Sequence, residues 1–110
     1  MDNKEKQFKE QWKKDFGELT CIVNEWDPMG LIRGGAPDDE FESLTMSLLS
    51  KLYQGKNRNE LESFIIERLK EEFDLDILNL KEEYKRKSLD KIKSTCMIIE
   101  QWFREKRKHL

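Results

Sequence analysis

Apolar residues recur along most of this chain at the period of a helix. Phe8, Trp12, Phe16, Leu19, Val23 and Trp26 follow one another at spacings of four, four, three, four and three. That is one stripe of a 3.6-residue repeat and predicts a helix over 4–26. Ile22 widens the stripe, Gly17 is a mild cost in its interior, and Cys21 falls at its margin. A second face, Phe41, Leu44, Leu48 and Leu52 with Thr45, Leu49 and Tyr53 beside it, predicts a helix over 38–54. Pro37 suits a first helical turn, Asp38, Asp39 and Glu40 complement the helix dipole there, and Asp38 serves equally well as N-cap. Gly55 is a natural stop. Leu61, Phe64, Ile65, Leu69 and Phe73 predict a third helix over 60–73, opened by Asn59 and Glu62 in the spacing of a capping box. The short GKNRN segment before it favours an antiparallel hairpin of the second and third helices. Leu89, Ile92, Cys96, Ile99, Trp102 and Phe103 mark a fourth helix. Its face extends back through Ser88, Tyr84 and Leu80, giving a helix over 80–107. Between the last two, DLDILN at 74–79 alternates polar and apolar residues and predicts a short extended connector.

No β-branched run, internal repeat or low-complexity tract interrupts this pattern. The fold class is therefore all-α, a four-helix bundle or an irregular helical array. At 110 residues it is a single domain with one modest core.

Charge changes the picture through its distribution. Forty per cent of residues are charged, yet the net charge is −2. Residues 1–14 sum to +2, residues 15–83 to −10 and residues 84–110 to +6. An acidic body thus carries a basic C-terminal segment. Charges on the outer faces of helices that find local opposite partners account for much of this. An acidic face that attracts a basic partner is the functional alternative.

Candidate chemistry is sparse. The single histidine, His109, is next to last in the sequence, where a triad has no credible geometry. No phosphate-loop, dinucleotide or HExxH motif occurs, and no Cys/His set has zinc spacing. Cys21 and Cys96 read as reduced, structural thiols, Cys96 as inert packing on an apolar stripe. Acidic residues near 27 and 38–42 could in principle hold a cation, but a helix N-terminus is a sufficient reason for them. No catalytic residue, cofactor or metal is expected. No stretch approaches the roughly 18 apolar residues of a membrane span. The charged N-terminus lacks the apolar core of a signal peptide, so a cytoplasmic location is expected.

The segment NEWDPMGLIRGGAPDDEF at 24–41 holds a tryptophan, both prolines and three of the five glycines. Asp27 precedes Pro28 and is pushed out of the helical region, which ends the first helix. Pro28 and Gly30 suit a tight turn, Asp27 can close it by a backbone hydrogen bond, and Trp26 would pin it to the core. Trp26, Asp27, Pro28 and Gly30 thus read as a structural turn. The same stretch also reads as a recognition loop, with Asp27, Met29, Arg33, Asp38, Asp39, Glu40 and Glu42 as partner-binding candidates.

These residues carry a resemblance. Asn24-Glu25-Trp26-Asp27-Pro28-Met29-Gly30 followed by Pro37-Asp38-Asp39-Glu40-Phe41 resembles the short all-helical bacterial proteins grouped as domain of unknown function 1871. The likeness covers residues 18–73, and residues 31–36 depart from shorter members. It implies a helical fold and no established activity. A looser likeness in size and pattern to small toxin-immunity proteins implies a protein that binds and blocks a toxin domain.

Three functional readings follow. The first is a non-catalytic protein-binding module, in its sharpest form an immunity or antitoxin-like inhibitor opposing a basic toxin domain. The second is a nucleic-acid-binding regulator that uses Lys85, Arg86, Lys87, Lys91, Lys93, Arg104, Lys106, Arg107 and Lys108 as a phosphate-contacting stripe. No helix-turn-helix signature supports it. The third is self-association, since three tryptophans and a broad apolar face can exceed what one small core hides.

Overall fold

Among the described residues four α-helices follow one another: α1 (Asn3–Trp26), α2 (Glu42–Tyr53), α3 (Arg58–Phe73) and α4 (Glu82–Arg107), with one 3-10 turn, Ile77–Asn79, ahead of the last. The computed structural model describes residues 3–27, 34–35 and 39–108. The fold is all-α, and no strand forms among the described residues. Two compact units divide the chain, Met1–Ser50 and Lys51–Leu110.

In the first unit, Leu19, Val23 and Trp26 of α1 are buried, as are Phe41, Leu44, Leu48 and Leu49 at and within α2. The first half of the predicted α1 stripe does not behave this way. Phe8 is 62% exposed and residues 4–10 are all exposed. Trp12 and Phe16 are half-buried and stack, their rings parallel within 5° and 5.2 Å apart. A correct period therefore fixed which face of α1 is apolar, but burial begins only about three turns into the helix.

The start of α2 lies at Glu42, four residues beyond the predicted position. Asp39 to Phe41 form a turn instead, in which Glu42 N–H donates to the Asp39 carbonyl at 3.1 Å. Burial of Phe41 places the boundary. Its side chain is 1% exposed, and its carbonyl accepts both the backbone N–H and the Oγ1 hydroxyl of Thr45, each at 2.9 Å. The anchored carbonyl thus opens the hydrogen-bond ladder. Asp39 and Glu40 stand ahead of the helix rather than in its first turn, while Pro37 and Asp38 lie outside the described residues.

Three helix ends use a left-handed residue. Asp27 has φ +49° and donates its N–H to the Val23 carbonyl at 2.8 Å, ending α1 where the pre-proline restriction requires. Asp74, with φ +55°, ends α3, and both its N–H and that of Leu75 go to the Leu69 carbonyl. Aspartate tolerates this region better than most residues. Gly55, φ +82°, ends α2 in a Schellman arrangement: its N–H reaches the Leu52 carbonyl at 3.0 Å and that of Lys56 the Lys51 carbonyl at 3.1 Å. No atom lies where a Cβ at Gly55 would stand. Gly55→Ala is therefore a pure backbone penalty, expected at about 1–2 kcal/mol, and Gly55→Asn a smaller one. Urea unfolding of the two variants measures both; equal losses would remove the conformational explanation.

In the second unit, α3 packs on α4, and the 3-10 turn contacts both. Leu61, Ile65 and Leu69 of α3 face inward, as do Ile92, Thr95, Cys96 and Ile99 of α4. The cap of α3 is two residues earlier than predicted. Asn57, not Asn59, forms the box: Glu60 N–H donates to Asn57 Oδ1 at 2.9 Å and Asn57 N–H to Glu60 Oε1 at 3.2 Å. Asn57-x-x-Glu60 and Asn59-x-x-Glu62 both satisfy the spacing. The earlier frame wins because it satisfies two end groups reciprocally and gives α3 two more residues. The predicted extended connector is also corrected. Ile77, 2% exposed, begins a 3-10 turn closed by Asn79 N–H to the Asp76 carbonyl at 3.1 Å. A lone extended segment between helices would have no partner for its backbone groups, and local i−3 bonding supplies one. Leu80 is consequently extended (ψ 161°), and α4 starts at Glu82 rather than near residue 80.

Candidate functional site

The acidic turn that leads into α2 brings Asp39, Glu40 and Glu42 to the surface around the buried Phe41. All three are exposed, and no ion pair among the described residues engages them. Elsewhere the charges pair locally along helices, as Lys56–Glu60 at 3.5 Å, Arg68–Glu72 at 2.5 Å, Lys87–Glu83 at 3.9 Å and Arg104–Glu100 at 3.5 Å. Such pairs hold about 0.3–0.5 kcal/mol each and only partly offset the charge at their positions. No described cation offsets the charge of the α2 turn in this way.

Charge also divides between the units. Residues 1–50 hold six basic and eleven acidic side chains, net −5, and residues 51–110 hold fifteen and twelve, net +3. The acidic character read from the sequence thus centres on the first unit, and the nine acidic residues of 58–83 belong to a second unit whose balance is basic.

The structure separates the predicted site residues. Trp26, the last residue of α1, is 7% exposed and Asp27 beside it is 4% exposed, so Asp27 has little surface to offer a partner. Asp39, Glu40 and Glu42 come together in sequence and in exposure. Pro28, Met29, Gly30, Arg33 and Asp38 lie outside the described residues. One buried carboxylate had no signal in the apolar pattern: Asp15, 4% exposed, accepts from Gln11 Nε2 at 2.8 Å. The Gln-x-x-x-Asp spacing was its only trace.

The thiols differ sharply. Cys21 is exposed and Cys96 is fully buried, and both are free. Burial pushes the Cys96 thiol up from 9.0 to about 12; Glu62 adds to the shift and Arg58 partly opposes it. Cys96 is thereby a packing residue and a poor nucleophile. At pH 8 a thiol reagent is expected to titrate Cys21 at once and Cys96 only on unfolding. The folded state holds the proton and the unfolded thiol releases it. Stability is thus unaffected by Cys96 below pH 9 and falls as pH rises from 9 towards 12. A Cys96→Ala background in which that alkaline loss persists unchanged would assign it to another group.

Among the described residues, no group of three or more histidine, cysteine or acidic side chains is placed to hold a metal ion, and no helix is long and apolar enough to cross a membrane. The fold and this surface define an all-helical protein whose acidic turn has no ion pair among the described residues. No family model, curated protein or solved structure matches the chain.

Proposed function

We propose that this protein is a non-catalytic protein-binding module, and that it acts as an immunity or antitoxin-like inhibitor against a basic toxin domain. The observation that carries this reading is the set of exposed carboxylates Asp39, Glu40 and Glu42, unpaired among the described residues and held around the buried Phe41. Exposed carboxylates without ion-pair partners among the described residues exert their field outward, and a buried anchor beneath them limits the ordering cost of association. The WDPMG and PDDEF segments also support membership of the domain of unknown function 1871 group, with a cytoplasmic site of action.

The test is affinity capture from native lysate with the tagged protein. The control carries Asp39→Lys, Glu40→Lys and Glu42→Lys, with helicity verified by circular dichroism. One basic partner retained by the wild type and lost by the folded variant is the expected result. Equal recovery by both proteins would reduce the stretch to a turn.

A further inference from the structure

The second unit carries a surface of the opposite kind. A depression of about 210 Å³ opens beside the Gly55 turn, between the end of α2 and the last turns of α4. Its floor is apolar, made by Leu52, Leu61 and Phe103, and its rim is cationic, made by Lys56, Arg104 and Arg107. Among the described residues Glu100 is the one carboxylate in the wall. Lys56 and Arg104 have only long, exposed pairings, each 3.5 Å from Glu60 or Glu100. Arg107 has less: its guanidinium stands 5.5 Å from the centre of the Phe103 ring, and no ion pair among the described residues engages it. A cation–π contact leaves the guanidinium N–H donors without acceptors, and two such donors match one carboxylate.

We propose that this depression binds an acidic linear segment of a partner protein, one carboxylate on the arginine rim beside one apolar side chain on the Phe103 floor. The volume suits one or two side chains. Charge complementarity selects an acidic segment, since three cations face one carboxylate. A nucleic-acid strand fits less well. Base stacking needs an open ring face, whereas Phe103 is flanked by Arg107 and by the Tyr53 ring at 5.8 Å; an aliphatic side chain needs no ring face and can use the Leu52 and Leu61 part of the floor. This surface is independent of the acidic turn at 39–42, and each can fail alone.

The test uses a displayed library of peptides of about ten residues, each with Asp or Glu flanking two central apolar residues, panned against the full chain. The strongest peptide is then titrated by amide NMR against wild type, Arg104→Glu/Arg107→Glu and the milder Arg104→Gln/Arg107→Gln. Shifts are expected at Gly55, Lys56, Leu61 and Phe103. Affinity is expected to fall at least tenfold in the Gln variant, to vanish in the Glu variant, and to weaken about tenfold between roughly 50 and 300 mM salt. An unselected library, a peptide that binds the Glu variant equally, or oligothymidylate that shifts the same amides at lower concentration would overturn the proposal. Asp39→Lys/Glu40→Lys/Glu42→Lys is expected to leave these shifts intact.

Discussion

Association with a basic partner is expected to slow by about tenfold to a thousandfold when Asp39, Glu40 and Glu42 all become lysine, with little change in the dissociation of whatever complex still forms. The three substitutions shift the first unit from net −5 to net +1. Exposed charges act mainly on the diffusional encounter, so the loss should appear in the association rate and shrink as salt is added. Stability should hardly move, because none of the three is buried and none is ion-paired among the described residues. Stopped-flow association at two salt concentrations, set beside thermal unfolding, separates the possibilities. A rate that ignores salt in the wild type would remove the electrostatic argument. A large fall in thermal midpoint would mean that the turn is structural after all.

The largest stability effect is expected within one pair of adjacent residues. Ile99→Ala should cost about 2–5 kcal/mol and Ile98→Ala less than about 0.5 kcal/mol. Ile99 is fully buried on the face of α4 that meets α3, whereas Ile98 is 56% exposed. Deleting the Ile99 side-chain carbons removes their transfer from water and leaves a cavity that the packed α3–α4 pair closes only partly. The Ile98 carbons lose nothing comparable. Urea titration followed by circular dichroism gives both values. Similar losses at the two positions would mean that α4 is rotated from the orientation described. Against a typical stability of about 5–15 kcal/mol for a small domain, the Ile99 loss is a large share of the whole.

Periodicity located the helices because burial repeats with the helical turn. Leu44, Leu48 and Leu52, and likewise Leu61, Ile65 and Leu69, are inward in the structure as their spacing requires. Boundaries followed less well, since several residues compete for each end. Two Asn-x-x-Glu frames, opening at Asn57 and Asn59, stood four and two residues ahead of the same helical stripe, and reciprocal bonding at Asn57 and Glu60 chose between them. Phe8 and Tyr84 carry the correct helical phase but are exposed, because phase states direction and not whether anything covers the residue.

The site divides in the same way. The acidic composition around α2 was visible in the residues themselves, while the burial of Asp27 and the exposure of Asp39, Glu40 and Glu42 were not. Arg104 and Arg107 read only as part of a basic run. Their meeting with Lys56 around Phe103 depends on α3 folding back along α4, a contact between positions distant in the chain. By itself the sequence determined the helical class, the apolar face of each helix, the stops at Asp27 and Gly55 and the sign of the charge in each region, because all of these are set by neighbours within a turn or two. Tertiary structure alone decided which apolar residues are covered, which carboxylates are exposed and where a cationic rim surrounds an aromatic floor. Those outcomes depend on packing between segments far apart in sequence, for which local spacing holds no information.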